Sequence, residues 1–155
     1  MACTADRRAI RTLRMGEIMI TSDQYFGTKP HSLPQGLSAD ELLKRVNALL
    51  AFAATCSAYM WPIDLDTMSQ ISGSRGGAGD GGFRLPESTT GVAKSSHKEA
   101  KAVDVFDPHD ILDNWLTDAV LEDYGLFREH PKHTQGWCHL QSKPPGSGKR
   151  TYLLK

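Results

Sequence analysis

Two short stretches of this chain combine histidine and carboxylate side chains with small and apolar neighbours. SSHKEAKAVD, residues 95–104, carries His97 and Asp104, and GWCHLQ, residues 136–141, carries His139. Zinc in hydrolases usually has three protein ligands drawn from histidine and carboxylate, which leaves a fourth position for water. A charged Asp104 between Val103 and Val105 needs compensation by a metal or by hydrogen bonds. These three side chains are therefore candidate zinc ligands.

The spacing alone leaves a structural interpretation open. In that interpretation His97 is a capped loop histidine, Asp104 accepts from a backbone amide and His139 is a core histidine. A His-x6-Asp pair with a distant histidine arises by chance, so the residue types and spacing do not separate the two interpretations.

The segments around these residues predict an α+β fold. Ser38–Glu41 has the form of a capping box, and a helical stripe of apolar residues follows it. A second helix is predicted from Asp107-Pro108 to a stop at Gly125. Strand-like segments occupy residues 68–72, 102–106, 126–129, 137–141 and 151–154. Helices followed by a cluster of late strands predict a small antiparallel sheet with helices packed on one side.

The length of 155 residues fits a single domain, residues 1–155, in which 1–37 form an N-terminal extension and loop. Residues 21–36 are rich in glycine, proline and polar residues, which predicts a loop. Residues 73–82 include six glycines, which predicts a mobile surface loop.

Charge and hydropathy exclude several classes of partner. Lys plus Arg and Asp plus Glu number 18 each, so no net charge attracts the chain to nucleic acid. The longest apolar run, residues 48–54, is far shorter than the roughly 20 residues that span a bilayer. The basic start, residues 1–15, lacks the apolar stretch of a secretory signal peptide. We therefore expect synthesis in a cytoplasm, without membrane insertion.

Taken together, the two stretches resemble the zinc D-alanyl-D-alanine carboxypeptidase and murein endopeptidase family. That family has the hedgehog/DD-peptidase fold and includes many phage lysis enzymes. Residues 95–104 are similar to its Ser-x-His-x-x-Gly-x-Ala-x-Asp motif, and residues 137–139 to its aromatic-x-His strand. Residues 71–75, 91–97 and 126–129 followed by 134–139 extend the resemblance, which covers roughly 38–155.

The resemblance implies roles for particular residues. It makes His97, Asp104 and His139 the Zn²⁺ ligands. Arg75 would bind a substrate carboxylate in a bidentate manner, although a solvated loop arginine fits the sequence equally well.

Two positions depart from the family pattern. Ala100 stands where glycine is usual, a change that a turn tolerates if φ is negative. Gly136 stands where many relatives have the carboxylate that acts as general base. Glu129 is the first replacement candidate, because a hairpin would return it toward the last ligand, and His133 is the second. An exposed strand-end carboxylate is the alternative for Glu129.

The function implied by the resemblance is hydrolysis of peptide bonds in peptidoglycan by a phage endolysin or virion-associated lysin. Its partners would be the stem peptides of the cell wall. The protein would act after release from the host cytoplasm to the periplasm or cell wall, or from the virion. The alternative from another class is a non-catalytic virion structural protein that keeps the fold and associates with other virion proteins. The glycine at position 136 favours that alternative.

Overall fold

A computed structural model describes residues 20–27, 36–62, 65, 69–72 and 80–154. Its helices are α1 Ser22–Phe26, α2 Asp40–Thr55, α3 Ile111–Trp115 and α4 Asp118–Asp123. Its strands are β1 Ala102–Phe106, β2 Phe127–Glu129, β3 Trp137–Gln141 and β4 Thr151–Tyr152, and short 3-10 turns cover Ser96–Glu99 and Pro131–His133. The predicted α+β class is confirmed.

The four strands form one sheet in the order β1-β3-β2-β4. β3 pairs antiparallel with both β1 and β2, whereas β4 pairs parallel with β2. The prediction of an antiparallel sheet is therefore wrong for the last strand. After β3 the chain reverses direction and passes β2, so that β4 runs antiparallel to β3 and parallel to the strand between them.

The middle residues of β1 and β3 alternate between the two faces of the sheet. Val103 and Val105 alternate with Asp104 along β1, and Cys138 and Leu140 flank His139 on β3. Because successive side chains point to opposite faces, the four apolar residues share one face and the two polar residues share the other. The apolar four are fully buried in the main core, so the polar face is the one that can carry a site.

Helix α2 supplies much of that core. Every residue of its predicted apolar stripe is buried: Leu42, Leu43, Val46, Leu49, Leu50 and Ala53. The start of the helix differs from a reciprocal capping box. Ser38 Oγ accepts from the Asp40 backbone N at 3.1 Å, while the Glu41 carboxylate accepts from Arg45 Nε at 2.8 Å. The α2 stripe, Leu112 of α3 and Leu121 of α4 share one core with the apolar sheet face.

Helix α1 lies within residues 21–36, where a loop was predicted. Thr21 and Gln24 form a capping box, since the side chain of each accepts from the backbone N of the other. Tyr25 is buried and its hydroxyl donates to the Ala102 carbonyl at 2.8 Å. This part of the predicted N-terminal extension therefore packs into the domain, while residues 1–19 and 28–35 lie outside the described residues.

The second predicted helix is two helices. α3 ends at Trp115, Leu116 is extended, and Thr117 Oγ1 accepts from the Val120 N to begin α4. The helix α3 begins at Ile111 and not directly after Asp107-Pro108. Its carboxylate accepts from the backbone N of Ile111 and of Asp113, at 3.0 and 2.9 Å, so it ties down the turn that leads into α3.

No helix in the described part of the chain has the length and apolar character needed to cross a membrane.

Candidate metal centre

His97 lies in the 3-10 turn Ser96–Glu99 that precedes β1. The Ser95 hydroxyl accepts from the His97 backbone N at 3.3 Å and so begins this turn. The imidazole is only 2 % exposed, and its Nδ1 lies 2.8 Å from the Gly82 carbonyl oxygen. Because a carbonyl can only accept, Nδ1 carries the proton and the Nε2 lone pair faces the interior of the site.

The turn closes through Ala100, whose φ is +55°. The condition under which a turn would tolerate alanine here, a negative φ, is therefore not met. The left-handed conformation favours glycine, because a Cβ crowds the following carbonyl. The Ala100 side chain is buried in the core, and this packing offsets part of the backbone strain.

Asp104 and His139 lie side by side on neighbouring strands. They are paired residues in the antiparallel register of β1 and β3, and both point to the polar face. Each is 8 % exposed. The His139 Nδ1 lies 2.8 Å from Asp104 Oδ1, while His139 Nε2 lies 3.0 Å from Gln141 Oε1.

The three predicted ligands come together as a triangle of donor atoms. His97 Nε2 lies 3.3 Å from both His139 Nδ1 and Asp104 Oδ1. Ligands about 2.0 Å from a tetrahedral ion are about 3.3 Å from one another, which these separations approach. Two nitrogens and one carboxylate oxygen form a donor set that suits a divalent transition metal. The group could therefore hold a metal ion.

Electrostatics within the triangle are strongly coupled. Burial raises the pKa of Asp104, but the charges of His97 and His139 and their hydrogen bonds outweigh it, and the net pKa lies far below the usual range. Burial alone would lower the pKa of His139, whereas the hydrogen bond and charge of Asp104 raise it above 6.5. In the metal-free protein a proton on His139 thus compensates the buried carboxylate.

A cavity of about 450 Å³ opens over the cluster. All three predicted ligands line it, together with Glu129 and Trp137 among others. An open cavity beside a metal-binding group is where a substrate and a water molecule would meet the ion.

Glu129 lies on the same face of the sheet as the ligands. Phe127 pairs with Gln141, and the residues two positions along each strand, Glu129 and His139, keep to that face. Burial raises the pKa of the half-buried Glu129, the charge of His139 opposes this, and the net pKa lies above the usual 4.5. The second candidate base, His133, is exposed in the turn after β2 and does not line the cavity.

Arg84 is a cavity residue that the sequence interpretation missed. Its Nε donates to the Asp80 carbonyl at 2.7 Å, and its Nη2 donates to Asp104 Oδ2 at 3.3 Å. Arg75, the residue expected to bind a substrate carboxylate, lies outside the described residues. In the sequence, the one sign that Arg84 lies near the site is that the Gly-Phe-Arg run at 82–84 ends only thirteen residues before His97.

Gly136 occupies a turn that disfavours the carboxylate expected there. Its φ is +89°, its N donates to Asp110 Oδ1 at 2.7 Å, and its carbonyl accepts from the Asp107 N at 3.2 Å. A glutamate would be strained in this left-handed conformation.

Gln141 and Tyr152 complete the cavity wall beside His139 and were not predicted either. The alternation of β3 places Gln141 on the ligand face, two residues after His139, which a period of two in the sequence would indicate. The arrangement as a whole can hold a cation in the wall of a cavity that a carboxylate and a guanidinium also line. No protein-family model, curated protein or solved structure matches the chain.

Proposed function

We propose that this chain is a zinc metallopeptidase that hydrolyses peptide bonds in bacterial peptidoglycan, as a phage endolysin or virion-associated lysin. The observation that carries the proposal is the His97–Asp104–His139 triangle in the wall of an open cavity. The sequence resemblance to murein peptidases adds the substrate class and the hedgehog/DD-peptidase fold. The warrant is thus the site together with that resemblance, since a fold alone does not imply a function.

The residues around the triangle suit peptide hydrolysis. Zinc bound there would polarise a carbonyl and lower the pKa of a water molecule toward about 7. Glu129 would accept the proton of the attacking water, because its carboxylate lies in the cavity and its raised pKa is closer to neutrality. Arg84 would bind a substrate carboxylate or carbonyl, since its guanidinium already lies beside Asp104.

A second candidate function is a non-catalytic virion structural protein that keeps the peptidase fold. Gly136 supports this alternative, because the position that carries a carboxylate in many relatives is here a glycine turn at φ +89°. The two candidates differ in whether Glu129 takes over proton transfer.

The test begins with metal content and peptide release. The purified protein should bind one zinc ion per chain, and His139→Ala should lose most of the affinity, because two remaining ligands bind a divalent ion poorly. Incubation with peptidoglycan from several bacterial types should release peptide fragments, and a chelator should abolish the release. A protein that binds no zinc would contradict the metal site, and a zinc-bound protein inert on every wall would favour the structural role.

Glu129→Gln separates catalysis from metal binding. It removes the proton acceptor and keeps the size of the side chain, so activity should fall by about 10²–10⁴-fold while zinc remains bound. His133→Gln is the matched control, because His133 is exposed and does not line the cavity. Full activity in Glu129→Gln would show that the base lies elsewhere.

A further inference from the structure

The His139 ring is engaged at both of its nitrogens. Nδ1 lies 2.8 Å from Asp104 Oδ1 and 3.3 Å from His97 Nε2, so it belongs to the ligand triangle. Nε2 lies 3.0 Å from Gln141 Oε1 on the other side of the ring. A neutral imidazole has one donor and one acceptor nitrogen, so Nδ1 can ligate a cation only if Nε2 carries the proton.

The orientation of the Gln141 amide follows from its other contacts. Gln141 Nε2 lies 2.5 Å from the Lys143 carbonyl oxygen, which can only accept. The amide nitrogen must therefore face Lys143, and Oε1 must face His139. The Tyr152 hydroxyl donates to the same Oε1 at 2.7 Å. Gln141 thus presents an acceptor to His139 Nε2 and cannot turn over without setting two oxygens against each other.

The contacts form a continuous chain from β4 to the ligand triangle. Tyr152 on β4 holds Gln141 on β3, and Gln141 holds His139 two residues earlier on the same face. Gln141 is 4 % exposed, so water competes little for its carbonyl. An outer hydrogen bond of this kind sets the tautomer and ring orientation of a ligating histidine.

We propose that Gln141, supported by Tyr152, is a positioning residue that keeps His139 as the Nε2–H tautomer and directs its Nδ1 at the metal. This inference rests on the proposed metal site and concerns how that site is assembled. The competing explanation is that Gln141 only satisfies buried polar groups of the sheet. The two explanations differ in their effect on metal affinity and on the tautomer of His139.

The first experiment measures zinc affinity by competition with a chromophoric chelator. Gln141→Met removes the acceptor at similar length and should weaken zinc binding by about 10–100-fold. Tyr152→Phe, which leaves Gln141 Oε1 without its second donor, should weaken binding in the same direction by less than Gln141→Met.

A buried amide that does not line the cavity provides the matched control. Asn47 is 6 % exposed and hydrogen-bonds the backbone N and O of Ile20, at 2.9 and 3.0 Å. Asn47→Leu should lower the thermal midpoint of the metal-free protein and leave the zinc affinity of the folded protein unchanged. A purely structural role for Gln141 would make Gln141→Met behave like this control.

The second experiment reads the tautomers directly, from long-range ¹H–¹⁵N spectra of the zinc-loaded protein. His139 should appear as the Nε2–H form and His97 as the Nδ1–H form. A His139 that carries its proton on Nδ1, or a folded Gln141→Met variant that binds zinc as tightly as wild type, would overturn the inference alone. Absence of zinc binding in the wild type would overturn the proposed function and this inference with it.

Discussion

Replacement of Arg128 by methionine should strongly destabilise the fold. Arg128 lies on β2 and points away from the cavity, into the protein, where it is 8 % exposed. Its Nη1 donates to the backbone carbonyl of Asp113 and, at 3.0 Å, to Asp113 Oδ1. Its Nη2 donates to the Leu116 carbonyl at 3.1 Å, and its Nε donates to Thr151 Oγ1 at 3.0 Å.

The expected magnitude follows from what the substitution leaves behind. Asp113 is 1 % exposed, and removal of one partner of a buried ion pair costs about 3–5 kcal/mol, because the other charge stays buried. Burial already raises the pKa of Asp113, and Thr134 Oγ1 still donates to it at 2.7 Å, so the carboxyl can take up a proton. We therefore expect the lower end, about 3 kcal/mol in the free energy of unfolding.

The assay is urea denaturation of the metal-free protein, checked by the thermal midpoint, which should fall by about 6–12 °C. Arg150→Met is the matched control, because the Arg150 guanidinium is partly exposed over the Phe127 ring. This substitution should lower the free energy of unfolding by about 1 kcal/mol or less. Adding Asp113→Asn to Arg128→Met removes the stranded charge and should recover stability. A loss below about 1 kcal/mol in Arg128→Met, or no recovery in the double variant, would refute the reasoning.

Two further changes probe the site and the helix ends. The pKa of His139 is raised by folding, so the metal-free protein has its full histidine-linked stability below pH 6.5 and loses it as the pH rises through the folded pKa. His139→Gln should flatten this pH dependence. Denaturation midpoints between pH 6 and 9 measure both proteins, and an unchanged profile in the variant would contradict the coupling of His139 to Asp104. Gly125→Ala should cost about 1–2 kcal/mol, because φ is +65° at this helix end and the new Cβ would lie 2.9 Å from the flexible Arg45 Nη1; a thermal midpoint equal to wild type would contradict it.

The helix α2 was predictable because its stripe repeats over four turns and every member is buried. The break between α3 and α4 was not, because Leu112 and Leu121 bury apolar side chains on the same core and the periodicity continues across the interruption. The only local sign was Thr117, whose hydroxyl caps α4. Periodicity reports which side chains face the core, and it does not report whether the backbone between them remains helical.

The ligand triangle was predictable for a different reason. Asp104 and His139 lie between apolar residues, so their polar side chains stand out in the sequence, whereas His97 lies among polar residues and was identified through the resemblance to the peptidase motif. Gln141 and Arg84 do not stand out, because a single amide or guanidinium is ordinary on any surface. Their positions depend on strand register and on a crossing of distant segments, and these are properties of the assembled sheet.

The crossing at Gly81 and Gly82 shows why the glycine-rich segment matters to the site. Residues 73–82 were predicted to form a mobile loop, yet Gly81 and Gly82 are buried, and residues 73–79 lie outside the described part of the chain. A Cβ on Gly81 would lie 1.8 Å from the Ser72 carbonyl oxygen, and one on Gly82 would lie 2.3 Å from that of Tyr25. Only glycine lets the backbone pass between these two segments.

The same two residues hold two of the three ligands. The Gly81 carbonyl accepts from the Asp104 backbone N at 2.7 Å, and the Gly82 carbonyl accepts from His97 Nδ1 at 2.8 Å. One dipeptide therefore holds the backbone of Asp104 and sets the tautomer of His97. Tyr25 packs against this dipeptide and donates to the Ala102 carbonyl, so helix α1 contacts both the glycines and the strand that carries Asp104. The two glycines thus position Asp104 and His97, as Gln141 positions His139.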